Sequence, residues 1–460
     1  MQEVMNTVAQ HELIIIGGGA SGTVLAWNLS RRLGRPVSLI DPGEIMGQGL
    51  AYATPSLGHI LNVPAGGMSA SVTDSGHFLA WLQRRINPRA EAADFVPRSV
   101  YGQYLRELAL ESGVMHIRAR VQACQPWGEG WQLTLEDGRQ LEADQVVLAL
   151  GHHAPSQWPG CGNGDIGLPQ YAADAWQDAL YSAVRPEDRV VLVGTGLTMV
   201  DALVRLRQRG HEGKVVAVSG HGLLPQRHAP YVPRDTPAIE PGREVAATAR
   251  DYLRAFHQAL QAGSPWRAVV DSLRPVSNRL WQALPAVEKR RFKRHLQRRW
   301  DVLRHRMAPQ IADQLEAEVA AGQLEVVAGR VVALESAGRQ IGLHLQCKGA
   351  QKTLMADKVI NCSGPCADYR RSGTPLLRSM LEAGIIAPGF GGKGLACDED
   401  GRLYDSQGKV APGLHVIGPA RLGLLFESSA MPEIKQQAHA LAERIAPSLA
   451  LEDTLGEVLS

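Results

Sequence analysis

The amino-acid sequence predicts an α/β protein with two similar domains, and three observations support this. Two apolar strands, at residues 13–16 and 190–193, each run into a glycine turn and then into a helical pattern. Strands that alternate with helices in this way predict parallel sheets. Each turn is followed further along the chain by a β-meander that ends in an apolar strand and a glycine. The recurrence of the whole plan indicates two related halves.

The first turn carries the complete pattern G-x-G-x-x-G. Gly17 allows the tight turn, Gly19 lets backbone N–H groups approach a pyrophosphate, and Gly22 lets the following helix pack closely on the strand. Ser21 stands at the start of that helix. Asp41 ends the next strand, where a carboxylate accepts hydrogen bonds from ribose hydroxyls and repels a 2′-phosphate. We therefore expect a Rossmann-like domain that binds FAD or NAD here, although a turn that merely packs a helix on a sheet is the simpler alternative.

The second turn is less complete, because Met199 stands where the third glycine is expected. No acidic residue follows the next strand, and this absence favours a nicotinamide cofactor with a 2′-phosphate, so NADPH is favoured over NADH. The alternative is a half-domain that serves only as a scaffold. The residues assigned to this second site are Gly194, Gly196, Thr198, Ser219 and Arg227.

Composition excludes several classes of partner. The chain has 460 residues, with 48 Lys and Arg against 46 Asp and Glu, so no overall field draws it to nucleic acid or to a membrane. Its 6 cysteines form no C-x-x-C pair, which argues against a zinc site or a redox dithiol. The N-terminal residues do not have the pattern of a signal peptide, and no apolar run approaches the ~20 residues of a membrane span. We expect a cytoplasmic protein with a small-molecule substrate and no metal, and the oligomeric state stays open.

A basic stretch at residues 287–307 is predicted to be helical and is dense in Lys and Arg. Such a run is most often a solvated helix face. The alternative is an anion site, in which paired arginine hydrogen bonds hold a substrate carboxylate or the phosphate of NADP.

Several segments resemble the two-dinucleotide-binding flavoproteins, in which an NAD(P)H domain interrupts an FAD domain. The resemblance is to the bacterial FAD/NAD(P)-binding proteins, distant relatives of the N-hydroxylating and Baeyer–Villiger-type monooxygenases. The segments that carry it are LNVPAGGMSA (61–70), FVPRSVYGQYL (95–105), LALGHHAP (148–155), GTGLTMVD (194–201), GLLPQRH (222–228), INCSGP (360–365) and GLHVIGPARLGLLFESSAMPEIKQQA (413–438). The resemblance implies an FAD domain at residues 1–155 and 356–460. A nicotinamide domain at 156–355 would lie between these parts, with a helical basic insert near 240–320.

The resemblance also implies roles for individual residues. Asn62 and Met68 would lie beside the flavin ring and Arg98 near its rim or the nicotinamide, and these three are the candidates for a catalytic role. Asn62 in a plain turn and Arg98 on the surface are the alternative interpretation. Gly151 would belong to the segment that leaves the FAD domain.

The C-terminal segment has the pattern of a short strand followed by a helix start. Gly418 follows the strand, and Ser429, Ala430 and Met431 stand at the helix start. Backbone N–H groups there would face N1 and O2 of the flavin, where negative charge collects on reduction. Pro419 replaces an Asp that binds the ribityl chain in many of these flavoproteins, and a plain packing helix is the alternative.

The function implied by the resemblance is that of an NAD(P)H-dependent flavin monooxygenase, which oxygenates a small, acidic or amino-acid-like substrate through a flavin hydroperoxide. Two alternatives stay open. One is an FAD-dependent reductase or dehydrogenase that passes electrons to a small acceptor. The other is an FAD-binding protein whose nicotinamide site has lost its function.

Overall fold

The computed structural model describes residues 9–156, 168–242 and 245–459, with only the backbone at 451–459. The strands in chain order are β1 Ala9–Ile16, β2 Ser38–Ile40, β3 Met115–Ile117, β4 Val121–Trp127, β5 Gly130–Leu135, β6 Gln140–Leu148, β7 Tyr171–Ala172, β8 Val190–Val193, β9 Val215–Ser219, β10 Leu324–Ala337, β11 Gln340–Cys347, β12 Ala350–Ala356, β13 Lys358–Asn361, β14 Arg402–Tyr404 and β15 Val410–Val416. The α-helices are α1 Ala20–Leu33, α2 Gly49–Tyr52, α3 His77–Arg85, α4 Arg98–Glu111, α5 Ala179–Ser182, α6 Leu197–Gln208, α7 Ala249–Gln261, α8 Trp266–Ser272, α9 Ser277–Ala283, α10 Ala286–His295, α11 Gln297–Arg304, α12 Pro309–Ala320, α13 Pro375–Glu382 and α14 Met431–Leu459.

The chain forms two compact units. The first contains the residues up to Pro55, Val63–His153 and those from Cys366 onward, and the second contains Ser56–Asn62 and Ala154–Pro365. The first unit is discontinuous, and two boundaries differ from those expected. The return at 356 is placed too early, because β13 pairs with β8 in the sheet of the second unit. Residues 56–62 also belong to the second unit, where Ser56 Oγ donates to the Gln208 side chain at 2.6 Å.

The sheet of the first unit has the strand order β14-β15-β6-β1-β2-β3. β1 is parallel to both β2 and β6, and Ile14 and Ile15 are fully buried. A run that is apolar on both faces is typical of such a central parallel strand. The strands that follow α4 have two different roles. β3 extends the parallel sheet beside β2, whereas β4 pairs with β5 in the antiparallel meander that leads into β6.

The sheet of the second unit has the order β12-β11-β10-β9-β8-β13-β7. β10 pairs in parallel with β9 through its first residues and then turns into the antiparallel meander with β11 and β12. Helices α7 to α12 lie between β9 and β10 in the chain. The basic stretch is not one helix, because it breaks at Leu296 between α10 and α11. Within the described ranges no helix is long and apolar enough to cross a bilayer.

Candidate dinucleotide sites

The first glycine turn joins β1 to α1, and two of its glycines are required by the protein itself. Gly17 has a φ of 111°, and a Cβ there would lie 2.3 Å from the carbonyl oxygen of Ala149, the residue that follows β6. A Cβ on Gly22 would lie 1.9 Å from the carbonyl oxygen of Gly17. Neither position has room for any side chain, so both glycines are needed for the turn to form.

Gly19 differs from these two glycines. A Cβ there would meet nothing closer than the Cα of Gly49 at 3.4 Å, and its φ of −74° suits any residue. Helix α1 begins directly after Gly19, with no side-chain cap and no acidic residue in its first turn. Its first N–H groups and the positive end of its dipole are therefore available to an anion. This is the geometry of a pyrophosphate cradle.

Asp41 closes one side of this cradle. Its two carboxylate oxygens accept hydrogen bonds from the backbone N–H groups of Gly18 and Gly43, each at 2.7 Å. These bonds fix the orientation of the carboxylate. Since a carboxylate oxygen can accept more than one hydrogen bond, both oxygens keep capacity for ribose hydroxyls.

The C-terminal segment approaches the same turn within the first unit. Gly418, with a φ of 78°, lies so close to Ser21 that a Cβ would be 2.4 Å from the serine Oγ. Its backbone N–H donates to Gln437 Oε1 at 2.9 Å. Helix α14 begins at Met431, where the expected helix start lies. The Ala430 carbonyl accepts the first hydrogen bonds of that helix, from the N–H groups of Glu433 and Ile434.

Two buried polar atoms at the start of α14 lack a protein partner among the described residues: Ser428 Oγ and Gln437 Nε2. Ser428 is fully buried, whereas its neighbour Ser429 is exposed. A buried unsatisfied hydroxyl is costly unless a ligand or water completes it, so these atoms suit a bound polar group such as the flavin's. The sequence pattern singled out Ser429, and only the packing distinguishes Ser428 from it.

The remaining residues expected around the flavin lie in different surroundings. Met68 is buried in the first unit, whereas Asn62 is in the second, where its backbone carbonyl accepts from His228 Nε2 at 3.0 Å. Arg98 is the first residue of α4 and lies near Tyr52. Burial raises the pKa of Tyr52 to about 12, and the positive charge of Arg98 opposes this increase. Tyr101, one turn along α4, is fully buried, and its hydroxyl has no partner among the described groups.

The two crossing segments meet within the first unit. His153 forms a β-bridge with Cys366, and the hydroxyl of Tyr369 donates to the carbonyl oxygen of Gly151 at 3.2 Å. The His153 ring packs edge-on against Tyr369 with a centroid distance of 4.5 Å. Burial lowers the pKa of His153 to about 4, with a further contribution from neighbouring His152. The histidine is therefore a neutral packing residue at neutral pH.

The second glycine turn repeats the geometry of the first, in the second unit. Gly194 has a φ of 127°, and a Cβ there would lie 2.2 Å from the carbonyl oxygen of Cys362. Gly196 caps α6, and no heavy atom lies nearer to its Cβ position than Arg298 Nη2 at 3.9 Å. Met199 is fully buried in the first turn of α6, and the helix still forms. The missing third glycine therefore does not prevent a complete strand–turn–helix unit.

Hydrogen bonds tie this turn together. Thr195 Oγ1 donates to the carbonyl oxygen of Leu223 at 2.7 Å and accepts from Ser219 Oγ at 2.8 Å. Ser219 Oγ in turn accepts from the N–H of Gly222 at 3.1 Å. The hydroxyl of Ser219 thus supports the turn, while Thr198 lies in the first turn of α6.

Arg227 is already paired. Its guanidinium forms ion pairs with Asp313 and, at 3.6 Å, with Glu316, both on α12. Its charge is therefore opposed by two carboxylates, which makes it a poorer partner for a 2′-phosphate than the sequence suggests.

The basic stretch holds residues in two kinds of environment. Arg299 and several others are exposed, as expected of a solvated face. Arg306 is only 2% exposed, and its Nη2 donates to both carboxylate oxygens of Asp271. Burial opposes ionisation of Asp271, but hydrogen bonds from Arg306 and Tyr231 prevail and lower the pKa of this carboxyl. Arg306 Nε and Nη1 have no hydrogen-bond partner among the described groups, although the guanidinium lies 5.9 Å from the ring centroid of Trp266.

Comparisons with known proteins identify the class of fold. Residues 14–153 match the family model FAD-NAD(P)-binding. No curated protein matches the chain. The solved structure of reduced ornithine hydroxylase (PvdA) from Pseudomonas aeruginosa has a TM-score of 0.67 at 16% identity, covering 96% of this chain and 100% of that one. FAD-bound DfoA, a cadaverine monooxygenase from Erwinia amylovora, has a TM-score of 0.64 at 13% identity, with coverages of 96% and 95%.

A neighbour with a different activity shares the architecture. Bacillithiol disulfide reductase Bdr (YpdA) from Staphylococcus aureus has a TM-score of 0.57 at 13% identity, covering 96% of this chain and 99% of that one. At these identities the likeness shows the fold alone. The expected resemblance and the α/β fold are confirmed, FAD and NAD(P) are confirmed as the cofactor class, and an FAD-dependent oxidoreductase agrees with both findings. The chain therefore contains an FAD-NAD(P)-binding domain at residues 14–153 and has, along nearly its whole length, the fold of the two-dinucleotide-binding flavoproteins.

Proposed function

We propose that the protein is an NAD(P)H-dependent flavoprotein monooxygenase acting on a small, acidic or amino-acid-like substrate. The observation that carries this proposal is the pair of open cradles, one in each unit. In both turns the first glycine is required by the protein, whereas at the middle one, Gly19 or Gly196, a Cβ would meet no protein atom nearer than 3.4 Å. A chain with two such cradles can bind an electron donor and an electron acceptor.

In the first unit, different residues would bind different parts of FAD. The N–H groups at the start of α1 would hold the pyrophosphate, and Asp41 would orient the ribose. The N-terminus of α14, with Ser428 beside it, would stabilise negative charge on the reduced ring. Bound FAD supplies the redox chemistry, taking two electrons from a reduced nicotinamide and passing them on to oxygen.

The acidic substrate is supported by the environment of Arg306 in the second unit. Burying a guanidinium with unpaired N–H groups is costly, and Asp271 accepts hydrogen bonds from only one of its three nitrogens. A second arginine, Arg267, lies near enough that the Arg306 charge, after burial, helps to lower its pKa. A substrate carboxylate would satisfy the remaining N–H groups of Arg306. Ornithine, named for one structural neighbour, carries such a group, and cadaverine, named for another, does not.

A reductase that passes electrons to a small acceptor is the second candidate, because a disulfide reductase shares the fold. A dithiol mechanism is disfavoured by the cysteines of the crossing segment. Cys362 and Cys366 are buried free thiols, and burial raises the pKa of Cys362 well above its ordinary value. A thiol that resists ionisation is a poor nucleophile for disulfide exchange.

Anaerobic stopped-flow reduction of the purified protein by NADPH and by NADH tests the proposal. Bleaching of the flavin band at about 450 nm, followed on mixing with oxygen by a transient band at about 380 nm, is the result expected of a monooxygenase. Bleaching with direct return of the oxidised spectrum would identify a reductase. Absence of bleaching with either nicotinamide would contradict both candidates and leave an FAD-binding protein without a working nicotinamide site.

A further inference from the structure

The second glycine turn has a cation beside it that comes from the helical insert. Arg298, on α11, donates from Nη2 to Thr195 Oγ1 at 3.4 Å. The same nitrogen is the atom nearest to the Cβ position of Gly196, at 3.9 Å. A basic residue 103 positions away in the chain thus lies next to the open side of the turn.

The contacts of Arg298 do not consume its hydrogen-bonding capacity. The bond to Thr195 is long for an N–H donor, and the ion pair with Asp301 spans 3.8 Å. The side chain is 34% exposed, so ligand atoms can reach it. A guanidinium carries five N–H donors in a planar fork that matches phosphate oxygens. The first turn of α6 contains no acidic residue that would compete for it.

We propose that Arg298 binds the pyrophosphate of the nicotinamide dinucleotide in the second unit. The inference rests on the proposed function, since it assumes that this turn holds NAD(P)H. The positive end of α6 and the N–H groups after Gly196 face a pyrophosphate from one side, and the guanidinium approaches from another. The positions that Arg298 approaches, Thr195 Oγ1 and the Cβ position of Gly196, belong to the turn that would hold the pyrophosphate, which NADH and NADPH share, so we expect its contribution to be the same for both.

Equilibrium binding to the full-length flavoprotein tests the assignment without any turnover. The dissociation constants of NADP⁺ and NAD⁺ are measured by calorimetry for the wild type and for R298Q, R298K and R299Q. Loss of a charge-assisted hydrogen bond raises a dissociation constant by about tenfold or more. We expect R298Q to weaken both nucleotides by about this factor, with partial recovery in R298K. Arg299 is exposed and adjacent on α11, so R299Q should bind like the wild type.

Thermal unfolding of each variant verifies that the fold is retained, and the salt dependence of binding should be shallower in R298Q than in the wild type. The assignment is overturned if R298Q binds both nucleotides as tightly as the wild type. It is also overturned if only NADP⁺ is weakened, which would place Arg298 at the 2′-phosphate. If the wild type binds neither nucleotide, the proposed nicotinamide site fails and Arg298 loses this role with it.

Discussion

Replacing Gly196 with alanine should weaken nicotinamide binding and leave the fold of the second unit intact. The backbone at Gly196 has φ −90° and ψ −168°, which alanine adopts without strain. The added Cβ would meet no heavy atom within 3.9 Å. Alanine is a poorer helix cap than glycine, but it also restricts the unfolded chain, and the two effects offset each other to within about 1 kcal/mol.

The same methyl group would stand where a pyrophosphate approaches the start of α6. Hydrogen bonds to charged oxygens contribute about 1.5–3 kcal/mol each, so displacing the pyrophosphate from one of them predicts a dissociation constant about 10 to 100 times larger. Fluorescence titration with NADPH and thermal unfolding of the same variant measure the two effects separately.

Gly194→Ala is the matched comparison, because Gly194 belongs to the same turn but, unlike Gly196, is required for the fold. Its φ of 127° is essentially restricted to glycine, and its Cβ would lie 2.2 Å from the Cys362 carbonyl oxygen. We expect a loss of about 3 kcal/mol or more in the free energy of unfolding. Unaltered NADPH binding by Gly196→Ala would refute the assignment of this turn to the pyrophosphate.

Three further predictions concern other parts of the molecule. Asp41→Asn keeps the shape of the side chain but weakens its hydrogen bonds to Gly18 and the ribose, so FAD affinity should fall about tenfold. The flavin-to-protein absorbance ratio on dilution measures this affinity, and unchanged retention of FAD would exclude Asp41 from the site. Asp271→Asn leaves Arg306 buried without its carboxylate partner and should lower the free energy of unfolding, measured by chemical denaturation, by about 3–5 kcal/mol. Asp313→Asn, in the exposed pair with Arg227, should lower it by less than about 1 kcal/mol. Equal losses would contradict this difference in burial. Burial lowers the pKa of His415 to about 4 in the folded protein, whereas the unfolded chain protonates this histidine as the pH falls below about 6.5, so stability is lost between these two pH values. His415→Leu should therefore remove about 2 kcal/mol of the difference in unfolding free energy between about pH 7.5 and about pH 5. An unchanged pH profile would count against a buried neutral His415.

The sequence allowed us to predict the positions at which the backbone requires glycine. A strand that runs into a tight turn and a helix against it needs glycine at the crossing points, so Gly17, Gly22 and Gly194 could be recognised from their spacing alone. Asp41 could be predicted for a similar reason. β2 lies beside β1 in the parallel sheet, so the residue that follows β2 lies next to the turn that follows β1. Both glycine turns therefore followed from residue order, whereas the discontinuous first unit was implied by the resemblance to the two-dinucleotide-binding flavoproteins.

Pairings between distant segments were beyond the sequence. The strand β13 looked like the re-entry into the first unit, yet its backbone hydrogen bonds go to β8 in the second. Ser429 and Ser428 are equivalent in a pattern, and only burial leaves the hydroxyl of Ser428 without a protein partner.

The basic stretch shows the same division most clearly. Composition identified a helical region rich in arginine, but not which of its arginines would face water, Asp271 or the second turn. The break at Leu296 and the packing of α11 place Arg298 beside Thr195 and leave Arg299 exposed. The sequence by itself determined the two glycine turns, because the backbone geometry there depends on neighbouring residues. The tertiary structure alone decided which charges accompany them, because that depends on how segments far apart in the chain pack together.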